Sequence, residues 1–264
     1  MTFHAFGLSE LQQTQLGWRS RRPAPALRPW IEHYYLLRPQ GESESYRLYP
    51  DGGSTLTIPL QDARAEACHF SLSRVNSQQL WRPDEQSLGI RFTPGGFYAL
   101  FGLSMAEVKE ATAGGLTGLP WLSLLCELVS DKGPFNTQQL DSFFLQHMQR
   151  RAPVAGAVQF WQEAGLRAPQ EIRSFLKSKG VGRRTLERQF QLHVGVSPGQ
   201  LYTWQRLKRA RYLIRTRPEQ RLTDLAFSLG YYDQAHFVRQ FRQFCGQSPG
   251  QYRQRKLSQL YKAG

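Results

Sequence analysis

Arginine residues recur at matching positions in two similar stretches of the C-terminal half of the chain. The stretch from Arg188 to Gln200 reads RQFQLHVGVSPGQ, and the stretch from Arg239 to Gln251 reads RQFRQFCGQSPGQ. The two lie 51 positions apart and share eight of thirteen residues. The planar guanidinium group of arginine donates paired hydrogen bonds to the edge of guanine and to phosphate oxygens. The repeated arginines therefore indicate a surface that binds nucleic acid.

The arginines of the second copy lie on a helix that the apolar pattern predicts. Phe237, Phe241 and Phe244 follow at helical spacing and form a stripe for burial, which leaves the arginines on the opposite face. A shorter predicted helix, LTDLAFSLG (222–230), precedes it, with Thr223 as its N-cap and a glycine at its end. Helix, glycine turn and helix together predict a helix-turn-helix unit.

The first copy has the same design, with Leu186 and Phe190 as the buried pair and arginines outward. We predict that Arg188 and Arg239 contact bases and that Arg242 contacts phosphate. Glu187 could accept a hydrogen bond from a cytosine amino group or pair with Arg183 or Arg184. The histidine of the second helix could touch DNA or only cap local structure. The predicted DNA-binding residues are Arg183, Arg184, Glu187, Arg188, Gln234, His236, Arg239 and Arg242.

The shared SPGQ predicts a capped helix after each arginine-bearing helix. Ser197 and Ser248 are N-caps followed by proline, and Gln200 and Gln251 complete a capping box. The first capped helix runs on as a spacer of about 25 Å. We call the arginine-bearing helix of each unit its reading helix. Two reading helices roughly 34 Å apart would enter successive major grooves on one side of a duplex. Candidate phosphate contacts on the spacer are Lys208, Arg209, Arg211, Arg215 and Arg217.

The net charge of +14 lies entirely in the part of the chain that holds the repeat. Residues 1–154 contain 14 basic and 14 acidic side chains, whereas residues 155–264 contain 20 basic and 6 acidic ones. An asymmetry of this size indicates a polyanionic partner, either nucleic acid or an anionic membrane surface.

The N-terminal half shows a different pattern. Residues 28–93 are β-rich, with three strand-like runs, STLTIPL, CHFSLSRV and SLGIRF, separated by turn signals. Predicted helices follow at FYALFG, MAEVKEA, WLSLLCELV and TQQLDSFFLQHMQ. RRAPVAG (150–156) has the composition of a linker. We therefore predict two domains, a β-rich domain over 1–150 and an all-α domain over 151–264, which together make an α+β protein.

Signals of catalysis are weak. No phosphate-binding loop, nucleophile elbow or paired-histidine metal motif occurs, so we predict no catalytic residues, no metal and no cofactor. Asp51 and the glycines after it predict a tight turn. Three scattered cysteines without a Cys-x-x-Cys motif favour a reducing compartment, hence the cytoplasm. Aromatic residues of the β-rich domain could line a ligand pocket or form ordinary core; the candidates are Trp30, Tyr34, Phe92, Phe97 and Tyr98.

The C-terminal region resembles the AraC/XylS-type bacterial transcription regulators. The resemblance is carried by LAFSLGYYDQAHFVRQFRQFCGQSPGQYR (225–253) and VGRRTLERQFQLHVGVSPGQLYTWQRLKRARYLI (181–214). Less specifically, LRPWIEHYYLL, YPDGGSTL and GIRFTPGGFYALFG resemble a sensor-type domain fused to such regulators. This resemblance implies a cupin-like β-barrel or sandwich that binds a small molecule or dimerises. The first helix-turn-helix unit departs from the family pattern at two positions. Family members usually have serine where Gly182 stands and a small residue where Leu176 stands.

These observations predict a sequence-specific DNA-binding transcription regulator that is not an enzyme. Its expected partner is a double-stranded DNA operator, and RNA polymerase, a small-molecule effector and a second copy of the chain are further candidates; no membrane partner is expected. Two alternatives stay open: an enzyme or protein-contact module tethered to DNA by the basic domain, and a basic membrane-surface protein.

Overall fold

The fold is taken from a computed structural model of the chain. It describes residues 17–39, 44–74, 77–81, 85–108, 119–130, 136–147 and 182–262, with residues 174 and 180. The predicted linker at 150–156 and the boundary at 150/151 lie outside the described residues, as do Leu176 and most of the helix expected to open the first helix-turn-helix unit. No helix in the described part is both long and apolar enough to cross a membrane.

The N-terminal part contains two antiparallel sheets. A five-stranded sheet has the order β1-β2-β7-β4-β5, and a two-stranded sheet pairs β3 with β6. The three predicted strand runs correspond to β4, β5 and β7, so these predictions are confirmed. The strands are β1 (Arg19–Arg21), β2 (Ile31–Leu37), β3 (Glu44–Leu48), β4 (Ser54–Pro59), β5 (His69–Leu72), β6 (Ser77–Trp81) and β7 (Ser87–Phe92).

Three helices cover the five-stranded sheet: α1 (Gly96–Phe101), α2 (Pro120–Ser130) and α3 (Thr137–His147). All three match predicted helices, and a helical turn at 105–108 matches the start of a fourth. Aromatic rings join them to the sheet, since Phe97 lies 5.3 Å from Phe92 between ring centroids. These elements enclose one apolar core.

Two of the cysteines meet across this core. The Sγ atoms of Cys68, just before β5, and Cys126, on α2, lie 3.4 Å apart. The sequence spacing of 58 residues gives no signal for this contact. Burial raises the pKa of both thiols, so both are protonated at neutral pH. All three cysteines are free thiols.

The described C-terminal part is all helical, as predicted. Its helices are α4 (Arg183–His193), α5 (Pro198–Thr216), α6 (Leu222–Ser228), α7 (Gln234–Cys245) and α8 (Pro249–Lys262). Helix α5 is the expected spacer, and its 19 residues correspond to about 28 Å. The two-domain α+β class is thus confirmed for the described residues.

A second apolar core fills the space between the C-terminal helices. It is built from the predicted stripes, Leu186 and Phe190 on α4 and the three phenylalanines of α7. One member comes from the other half of the chain: Tyr49, between β3 and β4, is buried in this C-terminal core. The two halves therefore share packing, which the sequence does not predict.

Candidate nucleic-acid interface

The second helix-turn-helix unit consists of α6 and α7. The chain turns at Gly230, whose φ of 75° is in the left-handed region that favours glycine. Helix α7 then begins at an N-cap, Asp233, whose carboxylate accepts a hydrogen bond from the His236 amide at 2.6 Å. The phenylalanine stripe of α7 is buried against α6 and α8, which turns the opposite face outward.

That outward face carries the predicted reading residues of the second unit. Gln234, Ala235, Arg239 and Arg242 are exposed, and His236 is partly buried. Neither the Arg239 nor the Arg242 guanidinium group forms an ion pair or a hydrogen bond with another residue that the structure describes. Both guanidinium groups can therefore donate to an external partner.

The first unit presents an equivalent face on α4. Arg183, Arg184 and Arg188 are exposed, whereas Leu186 and Phe190 are buried beneath them. Glu187 accepts a hydrogen bond from Arg183 Nε at 2.9 Å, so of the two arginines considered it pairs with Arg183. Ion pairs as exposed as this one contribute little to stability, so the pair can open for a cytosine contact.

The other two residues of the second unit that were predicted to bind DNA, Gln234 and His236, contact neighbouring side chains. The Gln234 side-chain oxygen accepts a hydrogen bond from the Thr223 hydroxyl at 2.6 Å. The expectation that Thr223 caps α6 is therefore wrong: Arg221 is the N-cap residue, and no side chain caps that helix end. The His236 ring packs edge-on against Tyr231 at 5.5 Å. Both roles considered for His236 stay open.

Sequence reasoning passed over one residue beside this face. Tyr232 is 91% exposed in the turn directly before α7, so its whole ring is accessible to a partner. A tyrosine there has an apolar ring and a hydroxyl that can donate to phosphate. The repeat could not reveal it, because the first copy has no aromatic residue at the equivalent place, Val181.

The serine N-caps of the two following helices are confirmed, and the reciprocal capping box is confirmed for the second copy. Ser248 Oγ accepts from the Gln251 amide at 3.2 Å, and Gln251 Oε1 accepts from the Ser248 amide at 2.9 Å. In the first copy, Ser197 Oγ accepts from the Gln200 amide at 3.2 Å. Gly195 and Gly246 lie just after α4 and α7 with φ of 78° and 71°. These caps fix where each reading helix stops.

The spacer helix α5 departs from prediction at one of its basic residues. Arg209, Arg215 and Arg217 are exposed and stay available for phosphate. Arg211 is buried, so the expectation that it binds phosphate is wrong; its guanidinium lies 3.4 Å above the Tyr49 ring centroid. Burial, with Arg255 and Arg211 nearby, lowers the pKa of Lys256 on α8 to about 8. Positive charge is thus concentrated around these helices.

The five aromatic residues predicted to bind a ligand lie in different environments. Tyr34, Phe92 and Phe97 are fully buried in the N-terminal core, and the Tyr34 hydroxyl donates to Asp141 at 2.9 Å. Trp30 packs at the edge of both cores. Tyr98 stacks on His193 of α4 at 3.7 Å. The alternative of ordinary core fits the three buried rings, and a ligand-binding role stays a prediction for all five residues.

No group of three or more histidine, cysteine, aspartate or glutamate residues that could hold a metal ion occurs among the described residues. Asp51 lies in the expected tight turn, where its carboxylate accepts from the Gly53 amide at 3.0 Å. It also pairs with the buried guanidinium of Arg91.

Comparison with known proteins agrees with this geometry. Residues 177–255 match a helix-turn-helix domain, and residues 19–113 match a domain of unknown function (DUF6597). An uncharacterized HTH-type transcriptional regulator of Haemophilus influenzae is 37% identical over 73 residues, 28% of this chain and 24% of that protein. The HTH-type transcriptional activator RhaS of Escherichia fergusonii is 39% identical over 77 residues, 29% of this chain and 27% of that protein.

The chain thus spans about a quarter of the length of these curated relatives. Among solved structures, ToxT from Vibrio cholerae aligns over 89% of this chain and 97% of its own, at 12% identity and a TM-score of 0.36. A score this low does not establish a common fold.

Two capped units, each with an arginine-bearing helix outward, define the C-terminal part as a helix-turn-helix DNA-binding domain. With the sequence matches to transcription regulators such as RhaS, this domain is similar to those of the AraC/XylS type.

Replacing Arg239 and Arg242 separately should distinguish base reading from phosphate binding. Arg239→Ala is expected to weaken binding to a preferred duplex by about 1–3 kcal/mol and to relax preference at one base pair, because Arg239 lies at the centre of the exposed face. Arg242→Ala is expected to weaken all sequences alike and to lower the salt slope by about one unit. Fluorescence anisotropy at several salt concentrations measures both. Equal losses on preferred and random duplexes for Arg239→Ala would assign that residue to the backbone.

Proposed function

We propose that this protein is a sequence-specific DNA-binding transcription regulator controlled by a small-molecule ligand of its N-terminal domain. The observation that carries the proposal is the pair of matched, exposed arginine faces on two capped helix-turn-helix units joined by one helix. Two such faces in the same chain suit successive major grooves of one duplex. The sequence-matched relatives, which are transcription regulators, support the same function.

The rival functions have less support. An enzyme tethered to DNA would need a catalytic cluster, and the similar curated proteins are regulators. A membrane-surface protein would need a helix with an open apolar face. In the described C-terminal helices each apolar stripe packs in a shared core instead, as Phe237, Phe241 and Phe244 do.

The direct test is selection of preferred sites from a random duplex library with the full chain, alongside co-sedimentation with anionic vesicles. The expected result is enrichment of a site with two half-sites about one helical turn apart. Binding to vesicles without enrichment of any duplex sequence would reject the proposal in favour of the membrane alternative.

We assign regulation to the N-terminal domain. Its net-neutral first 154 residues and its many aromatic side chains suit an apolar or aromatic effector, bound by some of the five predicted residues. Its two antiparallel sheets are compatible with the finer expectation of a cupin-like barrel or sandwich. Dimerisation and contact with RNA polymerase are further roles that we propose for it. Three free thiols fit a cytoplasmic protein.

We propose domain boundaries of 1–150 and 151–264. A fragment of residues 153–264 is expected to fold and bind DNA alone, because it contains both units and nearly all of their core. It should melt at a lower temperature than the intact chain, since it lacks Tyr49 and exposes the surface that this ring covers. Circular dichroism and anisotropy test this. Loss of helical structure in the fragment would show that the domain depends on the N-terminal half.

A further inference from the structure

One of the segments through which the N-terminal half contacts the DNA-binding domain is residues 49–53, which we call the docking loop. Its first residue, Tyr49, is 7% exposed and lies within the C-terminal core. The Tyr49 ring packs on Phe244 of α7, with 5.7 Å between ring centroids. The ring also lies 3.4 Å from the guanidinium of Arg211 on α5, within the range of a strong cation–π interaction. Tyr49 thus joins the spacer helix to the second unit.

The same loop reaches the first unit three residues later. A Cβ atom at Gly52 would lie 2.6 Å from Leu201 Cδ1 and 3.7 Å from Val194 Cγ1. Val194 ends the reading helix α4, and Leu201 belongs to the first turn of α5. The backbone at Gly52 therefore packs directly on the first unit. One short loop touches both helix-turn-helix units.

The docking loop is held firmly on its own domain. The carboxylate of Asp51 pairs with Arg91, whose guanidinium also donates to Thr55 at 2.9 Å. The amides of Asp51 and Gly52 donate to the Ser73 carbonyl at 3.2 and 3.3 Å. A loop fixed by these bonds can transmit the position of one unit to the other.

Further contacts hold the first unit on the same side. Tyr98 stacks on His193 of α4, and burial lowers the pKa of His193, which keeps its ring neutral. A Cβ atom at Gly195 would lie 3.0 Å from Leu72 Cδ2 and 2.4 Å from Arg74 Nη2. The first unit is thereby seated against the N-terminal domain independently of Tyr49.

Docking leaves the reading faces open. Arg184 and Arg188 on α4, and Arg239 and Arg242 on α7, are all exposed while the loop is in place. The contact therefore does not block DNA; it constrains how the two units are arranged.

We propose that Tyr49 is a positioning residue for DNA binding, which sets the separation of half-sites that the protein accepts. Tyr49 on Arg211 and Phe244, with Gly52 on the first unit, holds the two reading helices in one relative arrangement. The chain then binds only duplexes whose half-sites match it. The inference rests on the proposed function, because it requires that both units bind one duplex.

The test compares the full-length chain with two loop variants on two duplexes. One duplex is the site selected from the random library, and the other has two base pairs inserted between its half-sites, which moves them about 7 Å further apart. Tyr49→Ala removes the ring, and Tyr49→Phe keeps it over Arg211. Gly52→Ala disturbs the contact with Leu201 and serves if Tyr49→Ala does not fold. All three changes leave the DNA-binding domain unaltered.

We expect the wild-type chain and Tyr49→Phe to bind the selected duplex about tenfold or more tighter than the duplex with the insertion. For Tyr49→Ala the ratio of the two affinities should be less than about threefold. A preference unchanged in Tyr49→Ala and in Gly52→Ala, even with weaker binding to both duplexes, would overturn the positioning role and leave the proposed function standing. Absence of any duplex binding by the wild-type chain would overturn both.

Discussion

Phe241→Ala is expected to destabilise the DNA-binding domain by about 3–5 kcal/mol and to abolish DNA binding. Phe241 is completely buried, with ring centroids of Phe237 and Tyr252 both 5.6 Å from its own. Its loss leaves a cavity where α7 and α8 meet, so the reading helix loses its support. Denaturant unfolding followed by circular dichroism measures the change in the free energy of unfolding.

Phe227→Ala is the matched control for that experiment. Phe227 belongs to the same unit but is 56% exposed, so its replacement should change stability by about 0.5 kcal/mol or less. A similar loss of stability in both variants would mean that the buried phenylalanine stripe of α7 does not stabilise the unit more than an exposed phenylalanine does.

Asp51→Ala is expected to destabilise the N-terminal domain by about 3–5 kcal/mol, because it leaves the Arg91 guanidinium buried without its closest counter-charge. Arg91 is 3% exposed at its side chain, and the more distant Glu32, at 3.7 Å, compensates only partly. The exposed pair of Asp62 and Arg64 supplies the control, since solvent screens this pair and Asp62→Ala should change stability far less than Asp51→Ala. Thermal and denaturant unfolding measure both variants. Equal effects would show that Asp51 contributes no more than a surface charge.

The same ion pair predicts a pH dependence. Burial opposes ionisation of Asp51, but the Arg91 guanidinium and the Gly53 amide outweigh it and hold the pKa of Asp51 below its usual value. A folded-state pKa below the unfolded value of about 3.9 gives stability that is complete above that value and is lost as the pH falls through the folded pKa. Acid titration of wild-type stability should show this loss, and Asp51→Ala should lack it.

The second helix-turn-helix unit could be predicted almost completely from sequence because its signals are local. The SPGQ cap, the spacing of Phe237, Phe241 and Phe244, and the turn at Gly230 each act within a few residues. The error at Thr223 has a local cause too, since its hydroxyl binds Gln234 instead of capping α6.

Contacts between distant segments could not be predicted in this way. Nothing near Tyr49 in the sequence indicates that its ring packs in the C-terminal core, whose other buried members begin at Leu186, almost 140 residues further along the chain. The sequence also does not indicate that Arg211 is buried against this ring. The approach of Cys68 to Cys126 is hidden for the same reason. The aromatic residues of the β-rich domain were visible in sequence, but whether such rings line a pocket or fill a core depends on how the sheet and α1 pack.

The two glycines that follow the reading helices, alike in the repeat, carry different constraints on sequence change. Gly246 is exposed, so only its left-handed backbone limits substitution, and asparagine tolerates that conformation well. Gly195 has the same conformation but also faces Leu72, Arg74 and Met105 of the other domain. A side chain there must displace Arg74 and press on Leu72 and Met105. A survey of tolerated substitutions should therefore accept asparagine at 246 and reject it at 195, and the rejection should disappear in a chain reduced to its DNA-binding domain.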